Sequence, residues 1–278
     1  MNDTVMVGVD GSPSSLAAVD VAAREARLRG APLRIVHAFS RPSDLEPMIH
    51  GVLAQAEQRA ADVAPGLEVL RTVAPGDTLT VLWSESRHAT LAVLGGRSRG
   101  GFGHLLLGST VVQLAAHGFC PVMAVRGRPD PQGPVLLAVD GSPAGAAAGE
   151  FAFAEAALRE APLIALHVWN TWSKPTPYEG PADPPNVGVD LGRLREKHRR
   201  RLDEALAPWR AAHPEVSVEP LLERSRVRHT LLEAAKEAQL LVAGARGHGG
   251  FTGMLLGSVS QALLYHADCP VTVVRGER

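Results

Sequence analysis

Val7-Gly-Val-Asp-Gly-Ser-Pro13 returns as Leu137-Ala-Val-Asp-Gly-Ser-Pro143, 130 residues further along a chain of 278. In each copy a short apolar run ends at Asp-Gly, a turn dipeptide. Ser-Pro follows, pairing a favoured helix N-cap with a favoured first helical residue. The stretch therefore reads as strand, turn and helix start. Leu16, Val19, Ala22, Ala23 and Ala26 then recur at helical spacing, as do Leu45, Met48, Ile49, Val52, Leu53 and Ala56. Strands are expected near 4–10, 33–39, 67–73, 90–95 and 121–126. Such alternation implies a parallel sheet with right-handed crossovers, so each half is expected to be a doubly wound α/β domain with helices on both faces.

The repeat runs the length of the chain. His37, in Leu33-Arg-Ile-Val-His-Ala-Phe39, matches His167, in Leu163-Ile-Ala-Leu-His-Val-Trp169, at the same offset. Gly95-Gly-Arg-Ser-Arg-Gly-Gly-Phe-Gly-His-Leu-Leu-Leu-Gly-Ser109 returns as Gly244-Ala-Arg-Gly-His-Gly-Gly-Phe-Thr-Gly-Met-Leu-Leu-Gly-Ser258, now 149 residues on, and Cys120-Pro-Val returns as Cys269-Pro-Val. The 19 residues between the two offsets fall to the stretch from Trp172 to Asn186, whose prolines exclude helix and central strand. Arg128-Pro-Asp-Pro-Gln-Gly-Pro134 has linker composition, which divides the chain into domains 1–130 and 131–278.

Composition restricts the partners. With 28 Lys and Arg against 29 Asp and Glu, the electrostatic case for nucleic acid or an anionic membrane as main partner is gone. The basic run from Arg193 to Arg201 lies among Leu191, Leu194, Leu202 and Leu206 at helical spacing and reads as a solvated helix face. No apolar run approaches the roughly 20 residues of a membrane span, and the start of the sequence shows no secretory pattern. Two cysteines make no disulfide framework, so a cytoplasmic setting is expected.

In a doubly wound sheet, ligands bind outside the carboxyl ends of the strands, where the winding reverses. Asp10 and Asp140 close the first strands, and the glycine loops follow the fourth, so both point to that edge. The second loop reads G-x2-G-x9-G-[ST] through Gly244, Gly247, Gly257 and Ser258. Glycine lets backbone N–H groups approach phosphate, and the Gly-Ser precedes an apolar helix whose free N–H groups favour an anion. N-capping by Ser109 and Ser258, and turns for the glycines, are the plainer readings; two copies at one spacing favour phosphate. Arg97, Arg99 and Arg246 can neutralise its charge.

Competing motifs fail in part or whole. Gly103-His-Leu-Leu-Leu-Gly-Ser-Thr110 has Ser109 where a Walker A loop needs lysine, and no dinucleotide fingerprint follows either first strand. Gly96-Arg-Ser-Arg-Gly100 fits a nucleophile elbow, yet glycines separate Ser98 from the next helix and the second copy lacks the serine. A serine hydrolase using Ser98 stands as the enzyme alternative, and a ligand-free scaffold as the structural one. His37 and His167 read equally as packed strand histidines, Cys120 and Cys269 read as buried filler, and no cluster has metal-site spacing.

Together these motifs resemble the universal stress proteins, in the form with two such domains in one chain. The resemblance implies a five-stranded parallel sheet of order 3-2-1-4-5 per domain, ATP binding with or without Mg2+, no enzymatic role beyond slow hydrolysis, and a homodimer through the last strands. It also assigns residues. Gly8, Val9, Asp10, Ala138, Val139 and Asp140 would meet the adenosine, and Ala38 and Val168 the base. Gly95, Gly108, Ser109, Thr110, Gly244, Gly247, Gly257, Ser258, Val259 and Ser260 would hold ribose and phosphates, with Arg97, Ser98 and Arg246 in the same loops. Ser98 replaces the second motif glycine, so the first copy is expected to be the weaker site.

Overall fold

The computed structural model describes residues 4–39, 47–96, 108–128, 131–170, 190–247 and 256–276. The first half runs β1 (Thr4–Gly8), α1 (Pro13–Arg29), β2 (Leu33–Phe39), α2 (Pro47–Val63), β3 (Val69–Pro75), α3 (Thr78–Glu85), β4 (Ala89–Gly95), α4 (Ser109–His117) and β5 (Val122–Val125). The second half repeats it as β6 (Val135–Ala138), α5 (Pro143–Leu158), β7 (Leu163–Trp169), α6 (Leu191–Ala212), β8 (Val218–Arg224), α7 (Val227–Ala234), β9 (Leu240–Gly244), α8 (Ser258–His266) and β10 (Val271–Val274). The strands expected in the first half are present, with β1 and β5 each two residues shorter, β3 shifted by two and β4 starting one residue earlier. Val9 still donates to Val36 O, but Asp10 already belongs to a turn.

One ten-stranded sheet runs β3-β2-β1-β4-β5-β10-β9-β6-β7-β8, which is the order 3-2-1-4-5 written once and then reversed. Every pairing is parallel except β5 with β10. At that seam Met123 faces Thr272, its own counterpart in the repeat, so the pseudo-two-fold axis passes between them. The sheet alternates its side chains between two cores. Val5, Val7 and Leu33 face α1, α2, α5 and α6, whereas Met6, Ala92 and Val122 face α3, α4, α7 and α8.

The last strands, through which the resemblance implies association, meet inside one chain. β5 lies between β4 and β10, and β10 lies between β9 and β5, so the two last strands satisfy each other inside one chain and leave no edge for a second copy. The outer edges are β3 and β8, and β8 carries Pro220, a residue that sheets tolerate at an edge.

Buried charge joins the helices across the same axis. Arg29 of α1 pairs with Glu25 and with Glu155 of α5, while Arg159 pairs with Glu155 and with Glu25. The four side chains are at most 14% exposed, and each is the repeat counterpart of another, so the ring is two-fold symmetric.

Candidate functional site

The Asp-Gly-Ser-Pro turn folds identically in both halves. Asp10 Oδ1 accepts the Ser12 amide at 2.9 Å, and Asp140 Oδ1 accepts that of Ser142 at 2.9 Å. Gly11 and Gly141 take φ of 76° and 77°, the left-handed region where glycine alone is at ease. Ser12 and Ser142 then cap α1 and α5 by accepting the amides of Ser15 and Gly145. Thus much of the motif is explained by turn and cap chemistry. It also holds the Asp10 carboxylate at the strand edge: partial burial pushes that group up, but hydrogen bonds to Ser12 and Ser15 outweigh it and keep the carboxyl below its ordinary 3.8.

The fourth-strand glycines have a packing reason. A Cβ on Gly95 would overlap the Ser14 carbonyl, and one on Gly244 would lie 2.9 Å from the Ala144 carbonyl. These glycines let β4 and β9 run close beneath the first turns of α1 and α5. The serines after the loops are not caps. Gly108 and Gly257 occupy the N-cap positions of α4 and α8, with no side-chain cap bond at either, whereas Ser12, Asp77, Ser142 and Asp190 cap α1, α3, α5 and α6. Two helices at the ligand edge therefore begin without the side-chain acceptor that most of the others have.

These parts converge on a narrow cleft of about 110 Å³ in the first domain. Gly8, Val9, Asp10, Ala38, Gly95, Gly108 and Thr110, the residues that the resemblance assigns to the nucleotide, all line it. Ser109 is exposed at the start of α4 and is not in the lining; Arg97 and Ser98 lie outside the described residues. Sequence reading missed Thr78 and the apolar pair Leu82 and Leu94. The Gly76-Asp77-Thr78 helix start, placed after β3 at the same edge, was the available signal.

In the second domain the corresponding groups bond to one another. Gly257 N–H donates to Ala245 O at 2.8 Å, the Ser260 hydroxyl to Gly244 O at 2.6 Å, and the Ser142 hydroxyl to Arg246 O at 3.2 Å. Val111 stands where the first domain would need the Ser260 hydroxyl, so that clamp has no counterpart there. Ala138, Val139, Asp140 and Val168 hold the same strand-end positions as their counterparts, Ser258 and Val259 open α8, and Gly247 packs against the Asp140 carboxylate. The cleft of the first copy is open among the described residues, and Ser98, on which the expectation of a weaker first site rests, lies outside them.

The strand histidines point to the other face. His37 Nδ1 donates to Val9 O at 2.8 Å and His167 Nδ1 to Val139 O at 2.7 Å. That fixes His167 Nε2 as an acceptor, which His198 Nδ1 of α6 fills at 2.8 Å. His198 also stacks on Trp169. Cys120 and Cys269 are buried, and desolvation pushes both thiols up to about 12. Among the described residues there is no group of three or more His, Cys, Asp or Glu placed to hold a metal, and no helix long and apolar enough to cross a membrane.

Comparison with known proteins agrees with this architecture. The family model described as "Universal stress protein family" matches residues 1–126 and again 133–275. A universal stress protein of Mycolicibacterium smegmatis is 38% identical over 98% of this chain and 96% of its own, and one of Mycobacterium tuberculosis (strain CDC 1551 / Oshkosh) is 33% identical over 98% and 94%. The crystal structure of a universal stress protein from Archaeoglobus fulgidus DSM 4304 superposes with a TM-score of 0.69 over the whole of both chains, at 19% identity, a likeness of fold. The chain belongs to the universal stress protein family, with two such domains in tandem.

Proposed function

We propose that the chain is a cytoplasmic ATP-binding regulatory protein of the stress response, in which the nucleotide is an effector that shifts a conformational or assembly equilibrium. One observation carries the reading: the ionised Asp10 and the uncapped start of α4 meet in a single cleft, although they lie about a hundred residues apart in sequence. Val36, Ala38, Leu82 and Leu94 supply apolar walls for a base, Asp10 an acceptor for ribose hydroxyls, and Gly108 to Thr110 the helix start toward which phosphates would lie. Mg2+ arriving with ATP would be held mainly by the phosphates, because Asp10 is the one carboxylate among the described residues of the cleft lining. Its Oδ1 is engaged by Ser12, which leaves little to activate water and makes any hydrolysis slow.

In the second domain, phosphate would have to displace Ala245 O from the Gly257 amide, so the first domain is the stronger site. Mass spectrometry of nucleotide released on denaturation, followed by ATP titration of the wild type and of Gly108→Val and Gly257→Val, tests both points. The expected result is adenine nucleotide whose binding falls mainly with Gly108→Val. Absence of released nucleotide together with no affinity on titration refutes the proposal.

A further inference from the structure

Leu53 of α2 and Leu202 of α6 are counterparts 149 residues apart, buried in the same core, and that offset also relates β3 to β8. It exposes a difference between the copies. The six Lys and Arg from Arg193 to Arg201 correspond to positions 44–52, which hold no Lys or Arg and include Asp44 and Glu46; Arg224 corresponds to Pro75. The fold does not need these seven cations, since α2 packs on that core without them. Arg193, Lys197, Arg200 and Arg201 are exposed and recur at helical spacing opposite Leu202 and Leu206, the buried residues of α6. Arg224, exposed at the end of β8, lies 5.9 Å from the centre of the Trp169 ring on which His198 of α6 stacks, so it extends the same surface. Neighbouring acids do not cancel the charge. Glu196 pairs with Arg200, and Asp203 and Glu204 follow, yet α6 carries seven Lys and Arg against these three. Adding the stretch 171–190 ahead of it leaves eight against six. Glu219 and Glu223 of β8 alternate with its other face, where Leu221 belongs to the opposite core.

We propose that this face of α6 is a docking surface for duplex DNA, held through its phosphates and not read for sequence. Near-neutrality of the whole chain argues against nucleic acid as the main partner, but the charge is divided unevenly between the two copies. Arginine forks match phosphate oxygens in pairs, and six of the seven added cations are arginine. A helix about 10–12 Å across fits the B-form major groove, about 12 Å wide, whereas the major groove of duplex RNA is too narrow. Protein interfaces and membranes are less suited occupants, because Leu191 is the one exposed large apolar residue of α6. The assignment does not depend on nucleotide binding in the first-domain cleft.

Fluorescence anisotropy of a labelled duplex of about 20 base pairs and arbitrary sequence, titrated with the full chain between about 50 and 200 mM salt, tests it. The triple variant Arg193→Gln, Lys197→Gln and Arg201→Gln is expected to bind about tenfold or more weakly, with the slope of log affinity against log salt flatter by about 2.7. Arg228→Gln with Lys236→Gln, exposed on and just after α7 across the sheet, should leave both unchanged. All five side chains are exposed, so melting by circular dichroism should match the wild type and exclude lost folding. Absence of binding at the lowest salt, or an unchanged affinity and slope in the triple variant, overturns the proposal. Duplex RNA bound as tightly as DNA overturns the B-form assignment. Uptake by phosphatidylserine vesicles with none by DNA assigns the surface to a membrane instead.

Discussion

Glu155→Ala should be among the most damaging single substitutions in this chain outside the apolar core. Its carboxylate, 4% exposed, pairs with both Arg29 and Arg159, which are 14% and 9% exposed. Removing it leaves two half-neutralised guanidiniums facing Glu25 alone. Loss of one partner from a buried ion pair costs roughly 3–5 kcal/mol, and the residual access of Arg29 to water argues for about 3. At about 2–4 °C per kcal/mol for a chain of this size, the melting midpoint should fall by about 6–12 °C. Replacing the whole ring by Glu25→Leu, Arg29→Met, Glu155→Leu and Arg159→Met removes the charges along with their desolvation cost. That variant should lie within about 1 kcal/mol of wild type or above it. Urea and thermal denaturation followed by circular dichroism give both numbers, with Glu196→Ala, which breaks an exposed pair with Arg200, as the near-silent control. A Glu155→Ala loss below about 1 kcal/mol, or a fourfold variant as unstable as the single one, would refute this account of the seam.

Four further outcomes are expected. Gly95→Ala forces a methyl onto the Ser14 carbonyl, so it should cost about 2 kcal/mol or more in a urea melt. Thr272→Val should stabilise by about 1 kcal/mol, because the Thr272 hydroxyl is fully buried at the seam with no partner among the described residues; a destabilised variant contradicts this. Burial holds His167 and His198 below their ordinary 6.5; at His167 the hydrogen bond to Val139 O and the Asp140 charge oppose it while Arg201 adds to it, and at His198 the neighbours His167, Arg201 and Lys197 add to it. Folded values below unfolded ones mean stability that is full above 6.5 and lost as pH falls through the folded values, so the melting midpoint should drop on acidification, and drop less in His198→Leu. Thiol reagents should label Cys120 and Cys269 in urea but not in the native chain, since both thiols are buried and held up to about 12.

The division between legible and hidden features follows the range of the forces involved. The Asp-Gly-Ser-Pro turn, its two caps and the strand-helix alternation depend on residues within a few positions of each other, and they were readable before any fold was known. Asp10 and the glycine loop that ends at Gly108 were readable as neighbours too, because the winding of a parallel sheet brings strand ends to one edge, whereas Gly8, Val9, Ala38 and Thr110 were named only through the family resemblance. Leu82 and Leu94 were not readable, since nothing in an amphipathic pattern says that a core side chain also walls a cavity.

The sequence by itself determined that one α/β unit is written twice, that strands and helices alternate within it, and which edge of each sheet can hold a ligand, because backbone dihedrals and local hydrogen bonds answer to near neighbours. Only the tertiary structure decided that β5 pairs with β10 inside the chain and that Glu25, Arg29, Glu155 and Arg159 close a ring. Those contacts join residues more than a hundred positions apart, and they exist only because two similar domains adopt one of several possible relative orientations. Burying the open edge of each five-stranded sheet against the other is the physical reason that orientation is favoured.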